Sequence, residues 1–263
     1  MTRLKKLAVL AVLLFSPVLL SAQTAYQIMA RVDARDDGDN ATSVMEMILI
    51  DKSGHQRKRS IRSFAKDKGA DTQRLMFFLE PADVRGTGFL TYDFGAANKD
   101  DDQWMYLPEL RKTKRIAASD KSGSFMGSDF SFADMTGREL KEWKFKLLGE
   151  KDVRGKKTWL IEATPASRAV RDRYGYEKSV VFVRQDIFMP VRSVHWLRNG
   201  RLKYLDVKKV SKINGIWVGV EIEMRTVRAK KTEHTTVLRL RDIKYGQNLD
   251  DGLFTIRKLE QGL

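Results

Sequence analysis

Apolar and polar residues alternate most cleanly in the second half of the chain. Val218, Val220, Ile222 and Met224 fall on one side of an extended segment, and Glu221 and Glu223 on the other. Trp143, Phe145 and Leu147 repeat the pattern. One dry face and one wet face mark strands of an antiparallel sheet rather than of a parallel sheet buried on both sides. Further strands are expected in "SVMEMILID", "RKRSIRSF", "GFLTYDF", "QWMYLP", "TWLIEAT", "SVVFVR", "VRSVHWL" and "TTVLRLRDIKY". "QRLMFFLEP" is apolar on both faces and stops at Pro81. The Asn199–Gly200 and Asn214–Gly215 pairs each sit between two such runs. Asn-Gly tolerates the positive φ angles of tight hairpin turns. Roughly ten short strands at this spacing predict a barrel or a strongly curved sheet, in a single domain. Helix is sparse. Residues 24–35 form an amphipathic one, with Tyr26, Met29 and Val32 at three-residue spacing, and "FADMTGRELKEW" supplies one or two turns.

The N-terminus changes the picture. "MTRLKK" is basic, "LAVLAVLLFSPVLL" is apolar, and Ala22 offers a small residue for cleavage. This is the pattern of a secretory signal peptide over residues 1–22, with a mature domain over 23–263. The apolar run is short for a membrane span and carries Pro17. The chain has no cysteine, so neither disulfides nor an N-terminal lipid anchor are expected. A soluble, monomeric, periplasmic protein is predicted. The formal charge is +15, and removing the signal takes away Arg3, Lys5 and Lys6. The excess is spread over "QRKRSIR", "LRKTKR", "SRAVRDR" and "VRAKK". Such a balance favours anionic surfaces, which for an exported chain are lipid headgroups or other envelope anions more readily than nucleic acid.

Catalytic signatures are missing. There is no phosphate loop and no Gly-x-Ser-x-Gly. His55, His195 and His234 match no zinc spacing and have no companions in sequence; His195 reads as a satisfied sheet histidine. "DARDDGDN" fails as a calcium loop, because Arg35 and Val44 fall at ligand positions. "KDDDQ" reads as a solvated hairpin tip. Asp129 and Asp134 could pair as carboxylates, but nothing in the sequence raises a pKa. We expect no enzyme activity, no cofactor and no metal.

The apolar signal is richer. Methionines sit beside aromatics throughout, as at Met76–Phe77, Trp104–Met105–Tyr106 and Phe125–Met126. These shape-adaptable side chains suit varied apolar ligands. "GSFMGSDFSF", residues 123–132, joins glycine and serine to four large apolar residues. A loop of that kind makes sense as a flap over an apolar cavity.

"FLEPADVRGTGFLTYDF", "DDQWMYLPELRKTKRI" and "SGSFMGSDFSFADM", within residues 78–135, together resemble the outer-membrane lipoprotein-sorting protein family, whose members are LolA-like. The resemblance implies an incomplete β-barrel, a strongly curved antiparallel sheet with a few helices over its concave face. It also implies a periplasmic carrier, a chaperone of lipoprotein or lipid acyl chains, with an inner-membrane RND-type exporter as partner. Trp104, Tyr106, Pro108, Gly127, Asp129 and Phe130 match the family's characteristic positions. The residues expected to touch acyl chains are Met45, Met47, Phe77, Tyr92, Trp104, Tyr106, Phe125, Met126, Phe130, Phe132 and Met135. Gly127 and Asp129 would orient the flap, with Asp129 bonded to nearby amides or paired with Arg111 or Arg115. The competing expectation is a basic envelope scaffold that binds anionic surfaces and has no lipid cavity.

Overall fold

A computed structural model describes residues 23–95 and 99–263; the expected signal peptide lies outside the described residues. The elements run α1 (Ala25–Asp33), β1 (Ala41–Asp51), β2 (Gln56–Lys68), β3 (Asp71–Glu80), β4 (Gly88–Asp93), β5 (Asp102–Leu107), β6 (Lys112–Arg115), β7 (Trp143–Val153) and β8 (Lys156–Pro165). They continue with α2 (Arg168–Tyr174), β9 (Tyr176–Arg184), β10 (Pro190–Leu197), β11 (Arg201–Ile213), β12 (Ile216–Arg228), β13 (Lys231–Lys244) and α3 (Ile256–Gln261). Short 3-10 turns punctuate residues 108–142.

The thirteen strands of the described residues form one antiparallel sheet in the order β6-β5-β4-β3-β2-β1-β13-β12-β11-β10-β9-β8-β7. Both Asn-Gly pairs turn hairpins, between β10 and β11 and between β11 and β12. The pairing of β1 with β13 joins the two halves of the chain in the middle of the sheet. The edges are β6 and β7, which do not pair, so the barrel stays open.

The stretch 116–142 must therefore cross from one edge to the other, and it does so over the inner face. Phe132 accepts a hydrogen bond from Gln103 Nε2 of β5, at 2.8 Å. Two residues later, Asp134 accepts one from Tyr176 Oη of β9, at 2.9 Å. Nine strand steps separate β5 from β9, about 40 Å along a flat sheet. One short segment can touch both only because the sheet curls around it, as twisted sheets of this size do.

Alternation decides what each face meets. Met47, Leu49, Ile61, Met76, Phe78 and Phe89 point inward and pack around Phe125 and Phe130. Leu75, Phe77 and Leu90 point outward, under Phe254 and Leu259 of the C-terminal segment. Strands β3 and β4 are apolar on both sides because both sides are covered. At the other end of the sheet, α1 lays Ala25 and Ile28 on Ile161, Val181 and Val183. Thr24 caps this helix through a reciprocal pair with Gln27. Its buried stripe is Ala25 and Ile28, flanked by Met29 and Val32; Tyr26, expected on that stripe, is 53% exposed.

Candidate ligand-binding site

The segment 123–132 is a small closed hairpin. Phe125 N donates to Phe130 O at 2.8 Å, and Phe132 N to Gly123 O at 3.1 Å. Ser124 Oγ donates to Ser128 O at 2.6 Å, and Ser128 Oγ to Phe125 O at 2.7 Å. The serines thus satisfy carbonyls that the turn leaves without strand partners. The turn passes through positive φ at Met126 and Gly127, 51° and 73°. A Cβ at Gly127 would meet open space, so glycine is needed there for its backbone freedom and not for room.

Phe125 is 1% exposed and packs on Phe78, Phe89 and Phe132, with ring centroids 4.9–6.2 Å away. This is a plug inside the curl of the sheet, not an exposed flap. Asp129 fastens it. Its Oδ1 accepts from Thr226 Oγ1 at 2.5 Å. Its Oδ2 accepts from Thr236 Oγ1 and His234 Nδ1, both at 2.7 Å. Its own N–H donates back to Thr236 Oγ1 at 2.9 Å. Asp129 thus bonds to β12 and β13 and not to Arg111 or Arg115. Arg115 pairs with Asp102, while Arg111 sits exposed at the β5–β6 turn with φ 47°. The guanidinium that does reach the plug is Arg59 of β2, which donates to Met126 O.

Asp134 makes the second anchor. Its side chain is 7% exposed and accepts from Ser131 N and Oγ and from Tyr176 Oη. Burial alone would raise its pKa, but Lys203 and Arg138 hold it below the ordinary carboxylate range. Asp129 and Asp134 thus act on separate anchors and do not pair with each other. Tyr176 stacks on His195, with centroids 4.4 Å apart and planes 15° from parallel. His195 bonds Ser179 Oγ and Ser193 Oγ, both at 2.7 Å. Burial, with Arg138 and Lys203 nearby, pushes its pKa down to about 3.

Between the plug, α1 and the inner face of β9–β12 lies a cavity of about 390 Å³. Met29, Val32, Phe130, Val181, Leu205 and Met224 supply apolar wall, and Arg138, Ser193 and His195 a polar patch. Its exposed border is Asp33, the last residue of α1, and Asp37 beyond it. Arg138 lies 5.2–5.5 Å from the rings of Trp143, Tyr174 and Tyr176, which hold a half-buried cation at the wall.

Of the expected acyl-contact residues, Met45, Met47, Phe125, Met126, Phe130, Phe132 and Met135 gather in one inner cluster, and Phe130 also reaches the cavity. Phe77, Tyr92, Trp104 and Tyr106 do not join them. They occupy the outer face, packed with the C-terminal segment. Tyr92 Oη donates to Phe254 O at 2.5 Å, and Trp104 lies edge-on to Tyr92. The error has a plain cause: where both faces are apolar, composition does not tell inside from outside. Most of the cavity wall went unnamed as site residues. Met224 was legible as part of an alternating face, and Met29 and Val32 as part of a helix stripe. Val181 and Leu205 carry no signal of their own.

Residues 70–261 match a family model described as "-like: Uncharacterized protein". No curated protein matches the chain. Among solved structures, the chain is similar to a domain from Vibrio parahaemolyticus described as an outer-membrane lipoprotein-sorting protein. They are 28% identical with a TM-score of 0.81, over 90% of this chain and 98% of that one. It is similar to a DUF1329 family protein from Desulfovibrio piger at 30% identity and TM-score 0.81, over 89% and 97%. A LolA superfamily protein from Nitrosomonas europaea shares the fold, at 21% identity and TM-score 0.67, over 90% and 100%.

Proposed function

The chain belongs to the DUF1329 family, and from its likeness to an outer-membrane lipoprotein-sorting protein domain we propose that it is a periplasmic carrier of lipid or lipoprotein acyl chains. The observation that carries the reading is the cavity beside the plug, with Met and aliphatic walls and a volume of about 390 Å³. That is the low end of the ligand-pocket range, about 300–1,000 Å³, and suits one chain rather than several. Each buried methylene contributes ~0.8 kcal/mol, so ten give roughly 8 kcal/mol before the costs of binding. A carrier of that strength receives its cargo from a membrane machine rather than stripping a bilayer alone. An RND-type exporter of the inner membrane is the donor that the family resemblance brings, and anionic membrane surface is the second partner. The protein works as an exported monomer, without cofactor and as a binding protein rather than a catalyst. The plug lies next to the cavity and shares Phe130 with it, so its movement would enlarge the site.

The test is a fluorescent fatty acid titrated into the mature chain beginning at Gln23. Affinity should rise with chain length until the cavity is full, at low and at high salt. Val181→Trp, which fills the cavity, should weaken binding at least tenfold. If affinity follows ligand charge and ignores chain length, the protein is a basic scaffold and not a carrier.

A further inference from the structure

In an antiparallel meander, alternate hairpins project at opposite ends of the strands. The two rims of this sheet differ in charge. One rim carries the β1–β2, β3–β4, β5–β6, β10–β11 and β12–β13 turns. It presents Lys52, Arg57, Lys58, Arg85, Arg111, Lys112, Arg198, Arg228, Lys230 and Lys231, all exposed. Among the described residues only Arg198 of this set meets a carboxylate within ion-pairing distance, through Asp172 and Glu177. The β12–β13 turn, Arg228–Lys231, contains no acid.

On the opposite rim, acids gather around the α1–β1, β2–β3 and β4–β5 connections. Asp33 ends α1 and Asp36, Asp37 and Asp39 follow it, Asp67 and Asp71 flank the β2–β3 turn, and Asp93 and Asp100–Asp102 flank the β4–β5 connection. The pKa values of three of them are pushed up, by burial as well as by one another. A hydrogen bond with Asp67 raises Asp39, while burial and then Asp93 raise Asp33 and Asp101. The contrast lies in the β1–β5 half of the sheet, where the cations of the first rim outnumber its exposed acids Asp51, Glu80, Asp83 and Glu109; the β7–β8 and β11–β12 hairpins of the second rim are themselves basic, with Lys151, Lys157 and Lys209.

We propose that the basic rim is the face by which this protein docks on an anionic lipid bilayer, with the cavity mouth turned away from the membrane. The inference rests on the reading that the protein meets a membrane surface, and adds which end does so. Three observations favour a bilayer over an acidic polypeptide. The cations are dispersed over five separate turns along an arc of roughly 40 Å, at about 4.8 Å per strand. A surface fits that spread, whereas a peptide would need a continuous groove. Leu110, 61% exposed at the β5–β6 turn beside Arg111 and Lys112, pairs an apolar tip with flanking cations, as interfacial segments do. All of these cations but Arg198 are long side chains outside the ion pairs of the described residues, and each Lys or Arg near an anionic surface adds about 1 kcal/mol.

The rim lies beside the plug's anchor. His234, which bonds Asp129, pairs in register with Asp51 at the β1 end of this rim. Arg59, which bonds Met126 O, leads out of the same turn. Docking here would bring the bilayer to the plug's tip, while Asp33 and Asp37 at the cavity mouth face the aqueous side or another protein.

The experiment is co-sedimentation of the mature chain with vesicles of phosphatidylcholine, with and without phosphatidylglycerol, at low and high salt. Wild type should bind the phosphatidylglycerol vesicles at low salt and release in high salt. Arg57→Gln, Arg228→Gln and Lys231→Gln together should weaken that binding on the order of a hundredfold. Lys151→Gln, Lys157→Gln and Lys209→Gln together remove the same charge from the opposite rim and should change it less than about threefold. All six residues are exposed and outside the ion pairs described, so both variants should melt with wild type. Fatty-acid binding should be unchanged in the first variant, which separates failure of docking from failure of the carrier reading. Equal losses in the two variants, or equal binding to neutral vesicles, would overturn the proposal. So would a wild type that ignores the anionic vesicles and binds soluble polyglutamate; the rim's partner would then be an acidic protein.

Discussion

His234 Nδ1 lies 2.7 Å from Asp129 Oδ2, although the two residues are more than a hundred positions apart in the chain. That contact fastens the plug to the middle of the sheet. The Asp129 side chain is 1% exposed, so water cannot replace the bonds it accepts from Thr226, Thr236 and His234. A buried carboxylate with three donors is stable only while all three stay in place.

Asp129→Asn keeps the shape and removes the charge. One of its two side-chain atoms becomes a donor facing hydroxyl or imidazole groups that were themselves donating. The expected loss is about 2 kcal/mol, the scale of a hydrogen bond to a charged group, read as a shift in the urea midpoint. Amide exchange across residues 123–134 should quicken more than exchange in β9–β11. An unchanged midpoint would mean that the anchor carries no weight.

Phe125 and Phe130 should part company. Phe125 is enclosed by Phe78, Phe89 and Phe132, so Phe125→Ala should cost ~3–5 kcal/mol of stability. Phe130 also borders the cavity, so Phe130→Ala should leave more of the fold intact and shift fatty-acid affinity. Binding curves and urea titrations on the two variants decide it. If both lose stability equally and neither changes affinity, the plug is core throughout.

These residues show where sequence reading succeeds and where it stops. Alternation in β12 is a local property, and it was visible because the strand has one wet face. The open sheet followed from many such strands and two Asn-Gly turns. The helix α2 is also written locally, with Ser167 capping Val170 N and Gly175 at φ 71°, although its run of arginines equally fits an exposed basic turn. The sidedness of β3–β5 was not written locally at all. Met76 and Phe77 are equally apolar, and only the C-terminal segment, far along the chain, makes one of them an outer-face residue. The partnership of Asp129 with His234 belongs to the same class, because it exists only once the sheet has curled.

That C-terminal cover leaves little slack. A Cβ at Gly88 would stand 2.5 Å from Leu259 Cδ1, 3.1 Å from Phe77 Cε1 and 3.3 Å from Leu259 O. The side-chain methyl can move, but the backbone oxygen belongs to α3 and moves only with it. Gly88→Ala should therefore lift α3 at a cost of ~1–3 kcal/mol, typical of overpacking. Limited proteolysis should cut near residues 245–250 faster than in wild type, without loss of the inner core. Equal cleavage rates would show that α3 is held elsewhere.

The last prediction is a pH dependence. His195 is buried between Ser179 and Ser193, stacked on Tyr176, and faces Arg138 and Lys203 across from Asp134. Its pKa falls from 6.5 to about 3, chiefly through burial, so it stays neutral in the fold. The unfolded chain takes up a proton on this residue below 6.5, and the folded chain does not. Stability is then complete above 6.5 and declines as the pH falls toward 3, by up to about 1.4 kcal/mol per unit. Asp134 works in a lower window. Its folded pKa is depressed, so its contribution stays intact above 3.8 and fades only below that. Between pH 6 and pH 4 the slope should therefore carry the histidine's signature. His195→Gln should be less stable than wild type at neutral pH, because it loses the stack on Tyr176, yet its stability should fall less steeply across that window. Urea midpoints measured at several pH values give both slopes. Parallel slopes would mean that His195 titrates alike in both states, and the buried polar patch of the cavity would then be open to water.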